Sequence, residues 1–252
     1  MQTVSINLDP GETVYSQTNT MAWMNDAVTM DTHTGGGLFA GLKRTFGGGS
    51  FFVTDFTSTG GGHVAFAPRF PGTIIAMELQ AGQSIICRKE TFLVAQKTVT
   101  LELAFQKNIG SGFFGGNGFV LQKLSGPGIA WLDLSGELIQ RELAPGERLL
   151  VHAGHVGIFD PSVSFDIQMV SGFKNILFGG EGLFLATLTG PGRIWLQSMP
   201  IMNLAEELAR YLPMGGNDNG ANSASGILAT GATVGAVGGL LGGLFGGDQD
   251  NS

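Results

Sequence analysis

The sequence LFGGEGLFLATLTGPGRIW, residues 177–195, decides the fold, because a near copy of it occurs earlier in the chain. Residues 113–131 read FFGGNGFVLQKLSGPGIAW, and residues 46–66 read FGGGSFFVTDFTSTGGGHVAF, which is a more divergent third copy. Each copy has a glycine cluster, a run of large apolar residues and then a glycine turn. This order predicts a strand, a turn and a second strand, used three times along the chain.

The turn in the last two copies has the sequence Gly-Pro-Gly, formed by Gly126, Pro127, Gly128 and by Gly190, Pro191, Gly192. Proline at the first central position and glycine at the second favour a type II turn, which requires positive φ at the second position. We therefore predict positive φ at Gly128 and Gly192. The glycine clusters that precede the strands are followed by strand-type residues rather than by a helix, so they indicate bulges or turns and not a phosphate-binding loop.

A second repeated element sets the boundaries of the repeats. It has the form Leu-x-x-Gly-Glu/Gln and begins at Leu8, Leu79 and Leu143, which are 71 and then 64 residues apart. We define repeat 1 as residues 1–71, repeat 2 as residues 72–136 and repeat 3 as residues 137–200. Self-similarity at such a period is typical of symmetric or stacked units that bury their apolar faces against one another.

The patterning inside each repeat is that of β-strands. Residues 98–103 (TVTLEL) and 162–167 (SVSFDI) alternate polar and apolar side chains, as half-buried antiparallel strands do. The sequence predicts an all-β protein in which each of three tandem repeats forms a sandwich or barrel-like unit. Equivalent places are expected for Phe46, Phe114 and Phe178, and Trp131 should superpose on Trp195, with both tryptophans packed in the core or between units.

These motifs, together with Gly41, Leu42, Lys43 and Arg44 before the first glycine cluster, resemble the uncharacterised family related to the mitochondrial "altered inheritance of mitochondria" proteins. The resemblance covers about residues 1–200. It implies three tandem β-sandwich units that are fused in one chain with pseudo-threefold symmetry and resemble the trp RNA-binding attenuation protein, and it supplies no catalytic residue. Eukaryotic relatives are linked to mitochondrial inner-membrane organisation, but this chain has no Arg-rich transit segment.

Composition limits the partners. The formal charge is −7, and the basic residues do not form a cluster, so nucleic acid is not an expected partner. Only 13% of the residues are charged while 43% are hydrophobic, which indicates that part of the surface is covered and favours a homo-oligomer.

Candidate chemical sites are few in the sequence. Cys87 is the single cysteine, which excludes an internal disulfide, and its strand-like setting predicts a buried, inert thiol. No signal peptide is visible, so we expect a cytoplasmic location. His152 and His155 would point to opposite faces of a strand, so joint metal binding would need a bulge at Gly154. We predict no enzymatic activity, no catalytic residue, no metal and no cofactor.

The composition changes after the repeats. The sequence of residues 201–213 predicts a short amphipathic helix that docks on the β body. Residues 214–225 are predicted to form a flexible linker, and residues 226–252 form a glycine-rich apolar tail. Within the tail, glycine recurs at every fourth position: Gly231, Gly235, Gly239, Gly243 and Gly247. This spacing favours a membrane-associated or self-associating helix, while so many glycines also fit a disordered tail.

Two functional hypotheses remain open. The leading one is a non-enzymatic, self-associating β scaffold that acts through protein or membrane contacts. The alternative is a small-molecule-binding module with a pocket where the repeat units meet.

Overall fold

The computed structural model describes residues 2–17, 19–34, 52–107, 119–169 and 184–211. In these residues the chain forms eighteen β-strands and one α-helix, so the predicted all-β class is confirmed. The three glycine clusters, Phe46, Phe114 and Phe178 lie outside the described residues, and their predicted equivalence stays a prediction.

Each repeat contributes six strands. Repeat 1 contains β1 (Val4–Leu8), β2 (Thr13–Gln17), β3 (Met21–Met24), β4 (Val28–Thr34), β5 (Phe52–Ser58) and β6 (Gly62–Phe66). Repeat 2 contains β7 (Gly72–Leu79), β8 (Ser84–Arg88), β9 (Phe92–Gln96), β10 (Thr100–Lys107), β11 (Phe119–Ser125) and β12 (Gly128–Ser135). Repeat 3 contains β13 (Leu138–Leu143), β14 (Arg148–His152), β15 (Val156–Phe159), β16 (Ser164–Met169), β17 (Phe184–Thr189) and β18 (Gly192–Gln197).

The same antiparallel pairings recur in each repeat. The sixth strand pairs with the first and the third, and the fifth strand pairs with the second and the fourth. The third strand has its irregularity at the same place each time, because the register skips Ala22, Leu93 and Gly157. The pseudo-threefold rotation and the likeness of each unit to the trp RNA-binding attenuation protein stay expectations.

Strand pairing also joins the repeats. The second strand of repeat 1, β2, pairs with the third strand of repeat 2, β9, and β8 pairs with β15 in the same way. These ladders produce two six-stranded sheets, in the orders β4-β5-β2-β9-β12-β7 and β10-β11-β8-β15-β18-β13. The remaining strands form two three-stranded sheets, β1-β6-β3 and β14-β17-β16.

The hydrophobic core consists of three clusters, each with most of its residues from one repeat. Trp131 of repeat 2 packs against the cluster of repeat 1, and the buried Trp195 of repeat 3 belongs to the cluster of repeat 2. This confirms the predicted packing of both tryptophans between units. Ala65 takes the equivalent position in repeat 1, since it pairs with the third strand as the two tryptophans do.

The two Gly-Pro-Gly segments connect the fifth and sixth strands of repeats 2 and 3, as predicted. Gly128 and Gly192 have φ values of +136° and +143°, so the predicted positive φ is confirmed. The type II assignment is wrong, because the Gly126–Pro127 and Gly190–Pro191 peptide bonds are cis. A type II turn has proline at its first central position, whereas a cis proline occupies the second central position of a type VI turn.

The helix α1 (Ile201–Tyr211) follows the last strand. Ile201 and Leu204 are partly buried, whereas Leu208 is 53% exposed and Tyr211 is 77% exposed. Contact with the β body therefore involves the start of the helix. Among the described residues, no helix has the length and apolar character needed to cross a membrane. The predicted linker and tail lie outside the described residues.

Candidate functional site

A cavity of about 340 Å³ lies where the three repeats meet. We call it the junction cavity. Its walls come from two places in each repeat, the end of the second strand with the turn that follows it, and the end of the sixth strand. Repeat 1 contributes Gln17, Thr20, Arg69 and Phe70; repeat 2 contributes residues 88–93, Asp133 and Ser135; repeat 3 contributes Gly154, Gln197 and Pro200, and α1 adds Ile201.

Side chains at the cavity hold adjacent repeats together. Gln17 Nε2 of repeat 1 donates to the carbonyl oxygen of Lys89 in repeat 2 at 2.7 Å. Arg88 Nη1 of repeat 2 donates to the carbonyl oxygen of Gly154 in repeat 3 at 3.1 Å. Since Gln17 and Arg88 both end the second strand of their repeat, the same position makes the same kind of contact with the next repeat.

Gln197 forms a second link between repeats 2 and 3. Its Oε1 accepts a hydrogen bond from the Ser135 backbone N at 3.0 Å, and its Nε2 donates to the Gly154 carbonyl oxygen at 2.8 Å. Both hydrogen bonds are buried, and Gln197 itself is 6% exposed. The polar capacity of this side chain is therefore used for structure.

Asp133 occupies the position in β12 that Gln197 occupies in β18, two residues after the shared tryptophan. Its Oδ1 is buried and has no hydrogen-bond partner. Burial raises the pKa of the Asp133 carboxyl to about 6. A buried carboxylate oxygen costs free energy unless a donor satisfies it. The Asp133 carboxyl is therefore a hydrogen-bond acceptor in the cavity wall that the protein leaves incompletely bonded.

The other charges of the cavity have different surroundings. Arg88 is 7% exposed; its Nη2 lies 3.1 Å from Glu90 Oε2, and its guanidinium lies 5.2 Å from the centroid of the Phe119 ring. This arginine is thus tied to its own repeat as well as to Gly154. Apolar side chains complete the wall, including Phe70, Phe92, Leu93, Pro200 and Ile201.

His152 and His155 lie together at the end of β14, with their ring centroids 5.8 Å apart. The expected placement on opposite strand faces is wrong, because Ala153–His155 forms a 3-10 turn instead of continuing the strand. His155 Nδ1 is 2.7 Å from the Gln197 carbonyl oxygen. Burial, the neighbouring His155 and Arg88 lower the pKa of His152. Within the described residues no three potential ligands gather into a metal site.

Cys87 is fully buried in β8, and burial raises the pKa of its thiol to about 12. The thiolate that a nucleophile needs is thus strongly disfavoured. The structure confirms the prediction that Cys87 is buried, and the raised pKa of the thiol supports the prediction that it is unreactive.

Sequence reasoning predicted a meeting place of the repeats but did not predict its residues. Asp133 was missed because it lies inside an otherwise apolar strand sequence and belongs to no recognisable motif. The available signal was the comparison of equivalent positions, where repeat 3 has Gln197 and repeat 2 has a carboxylate. Arg88 was not predicted as a site residue, since its contact with Gly154 depends on repeat 3.

Known proteins resemble this chain over most of its length. Residues 1–199 match the family described as mitochondrial biogenesis AIM24. An uncharacterised protein of Streptococcus pyogenes serotype M6 is 31% identical over 223 residues, which are 85% of this chain and 88% of that protein. The crystal structure of a Streptococcus pyogenes protein has 29% identity and a TM-score of 0.68, and covers 83% of this chain and 94% of that chain.

The family match extends across all three repeats and includes every residue that lines the junction cavity except Pro200 and Ile201. It agrees with the resemblance carried by the repeated glycine motifs. The chain therefore belongs to the AIM24 family.

Proposed function

We propose that the protein is a non-enzymatic binding module that holds a small molecule in the junction cavity. The observation that carries the proposal is the buried Oδ1 of Asp133, which has no hydrogen-bond partner in a cavity of about 340 Å³. Ligand pockets have volumes of about 300–1,000 Å³ and combine apolar walls with a few polar groups that orient the ligand. The junction cavity has this composition.

The lining indicates the chemistry of the ligand. The Asp133 carboxylate accepts hydrogen bonds when it is ionised, so the ligand carries an N–H or O–H donor. The apolar walls contact an apolar body, which includes a ring where it meets Phe70 and Phe92. We infer a small, mostly apolar molecule with one donating head group. We assign Gln197 a structural role and no ligand contact, because its amide oxygen and its amide nitrogen already form hydrogen bonds with protein atoms.

The test uses phenethylamine and 2-phenylethanol, two probes of the same shape with a charged and a neutral donor. Chemical-shift titration of the full chain at pH 7.5 is expected to show binding with shifts at the cavity residues. Asp133→Asn is expected to weaken phenethylamine binding about tenfold or more, since a hydrogen bond to a charged group is lost. Glu102→Gln, at an exposed position of β10 away from the cavity lining, is the matched control.

The pH dependence separates the two head groups. Asp133 gains its negative charge as the pH rises through about 6, so phenethylamine affinity should rise over this range and 2-phenylethanol affinity should change little. Native mass spectrometry of the purified protein would identify a bound natural ligand. Absence of shifts with both probes, or equal binding to the wild type and Asp133→Asn, would overturn the proposal.

The self-associating scaffold is the second candidate. The edge strands β3 and β14 of the two three-stranded sheets favour it, since each has one partner among the described strands. The glycine-rich tail extends this candidate to a membrane surface, while the body is proposed to lie in the cytoplasm. Truncation after Pro213 should then leave a folded β body and abolish any membrane-bound fraction. Equal fractionation of the full and truncated chains with lipid vesicles would contradict membrane contact through the tail.

A further inference from the structure

The two ladders that join adjacent repeats have the same register. In the ladder between repeats 1 and 2, Tyr15 lies opposite Ala95 and Ser16 opposite Val94. In the ladder between repeats 2 and 3, the equivalent residues meet, with Ile86 opposite Phe159 and Cys87 opposite Ile158. The second strand of one repeat and the third strand of the next are therefore complementary edges, and the chain uses this complementarity twice.

Repeats 3 and 1 carry the same two edges without such a ladder. Among the described strands, β14 pairs with β17 alone and β3 pairs with β6 alone. The unpaired edges are apolar, since Leu150 of β14 is 62% exposed and Trp23 of β3 is 50% exposed. The residues equivalent to Trp23 in repeats 2 and 3 are Val94 and Ile158, which are fully buried.

The common register predicts how these edges would meet. It places Leu150 opposite Met24 and Val151 opposite Trp23, so the exposed apolar side chains of both edges would be covered. Two residues further along, Arg148 falls opposite Asp26, and both are exposed. The equivalent step between repeats 1 and 2 is made in the structure, because the Lys97 backbone N donates to the Thr13 carbonyl oxygen at 3.3 Å.

Among the described residues, the junction between repeats 3 and 1 lacks the large side chain that bridges the other two junctions. The equivalent of Trp131 and Trp195 is Ala65, a side chain too small to bridge two units. The cluster of repeat 3 contains no described residue of repeat 1, and the cluster of repeat 1 contains none of repeat 3; the two repeats share only the cluster of repeat 2. The edges are thus complementary to each other, but no ladder joins them among the described strands of one copy.

We propose that β14 of one copy of this chain pairs with β3 of a second copy in the register that joins the repeats. An exposed, apolar strand edge is a template for strand addition, and here the matching edge is present on the same protein. The opposite charges of Arg148 and Asp26 favour the correct register, and they disfavour pairing of either edge with itself.

Cross-linking tests the pairing directly. Met24→Cys and Leu150→Cys proteins are prepared separately, mixed and oxidised. Opposite residues of an antiparallel pair have Cα atoms about 4.5–5.5 Å apart, which suits a disulfide. The mixture is expected to give a two-chain product that neither variant gives alone. Cys87 should not interfere, because it is fully buried. Met24→Cys mixed with Gln140→Cys, on the exposed face of β13, is the control without a predicted contact.

Charge reversal provides an independent measurement that needs no cysteine. Asp26→Arg alone and Arg148→Asp alone should each weaken association about tenfold in sedimentation velocity, because like charges then face each other. The chain that carries both changes should recover association. A structural defect in either variant would not be repaired by the second change, so recovery identifies the contact.

Three outcomes would overturn the proposal. The wild type could sediment as a monomer at every concentration, or the mixed cysteine variants could give no more two-chain product than the control mixture. A chain carrying both Met24→Cys and Leu150→Cys could also cross-link only within itself, which would show that the two edges meet inside one copy.

Discussion

Two junctions can be compared, the one between repeats 1 and 2 and the one between repeats 3 and 1. Both involve the second strand of one repeat and the third strand of the next, but their strand pairing and side chains differ. The first has a ladder between β2 and β9, the buried Tyr15 and the packed Trp131. The second has no ladder among the described strands, and it has the exposed Leu150 where Tyr15 stands and Ala65 where Trp131 stands. The comparison shows that complementary backbone edges are insufficient without large side chains that bridge the units.

Removal of a tryptophan that bridges two repeats should have the largest effect on the free energy of unfolding. Trp195→Ala should lower the free energy of unfolding by about 3–5 kcal/mol, because it leaves a large space in the core shared by repeats 2 and 3. Trp23→Ala, on the unpaired edge, should change it by less than about 1 kcal/mol. Urea unfolding at low protein concentration measures both. Equal losses would show that the two junctions are equally packed.

Gly192, in the Gly-Pro-Gly turn of repeat 3, should tolerate substitution less than Gly60, in the glycine turn of repeat 1. Gly192→Ala should cost about 2 kcal/mol, because the residue has positive φ and a Cβ would lie 2.7 Å from Ser162 Oγ. Gly60→Ala should be nearly neutral, since no atom lies within 4 Å of its added Cβ. Thermal unfolding of the two variants checks this difference, and a neutral Gly192→Ala would refute the conformation described for the turn.

The contribution of the Tyr15 hydroxyl, at the junction between repeats 1 and 2, can be tested by changing this residue to phenylalanine. Tyr15 Oη donates to the Val99 carbonyl oxygen at 3.0 Å, and burial holds the tyrosine pKa far above its ordinary value. Tyr15→Phe should therefore cost about 1.5 kcal/mol. Leu150→Ala, at the equivalent and exposed position of repeat 3, should cost less than about 0.5 kcal/mol at low protein concentration. A larger loss for Leu150→Ala in urea unfolding would reverse the comparison.

Equivalent positions can also be compared at the cavity, where Asp133 of repeat 2 corresponds to Gln197 of repeat 3. Because burial raises the folded-state pKa of Asp133 to about 6, the folded protein binds more protons than the unfolded chain between about pH 4 and pH 6. The contribution of this group to stability therefore falls as the pH rises through that window. After a discount for partial exposure the loss is about 1 kcal/mol.

Asp133→Asn should remove this pH dependence and stabilise the protein at pH 7 by about 1 kcal/mol, measured by urea unfolding at several pH values. Gln197→Ala should be destabilising at all pH values, since it leaves the Ser135 backbone N and the Gly154 carbonyl oxygen without this partner. A wild type and an Asp133→Asn variant with parallel stability curves would contradict the raised pKa.

Local patterns were sufficient for the all-β class. The alternating segments predicted strands, and the shared position of Trp131 and Trp195 predicted packing between units. Ala65 follows the last glycine of its turn by three residues, as both tryptophans do, so its position was readable in the sequence. Its consequence for the junction between repeats 3 and 1 was not predicted, because it depends on which strands pair. The site depends on contacts between distant residues, since Gln197 bonds Gly154 and Ser135, which are 43 and 62 residues away in the chain.

The missing ladder also affects how fast the junction cavity can exchange its contents. Repeats 1 and 3 both contribute walls to the cavity, and the described strands include no ladder between them. Widening this side breaks no inter-repeat ladder, whereas widening either other side breaks one. We therefore expect the proposed ligand to enter and leave fastest on this side, and its residence time to depend on this side. A second copy bound across these edges would slow release, so occupancy of the cavity would persist longer at high protein concentration.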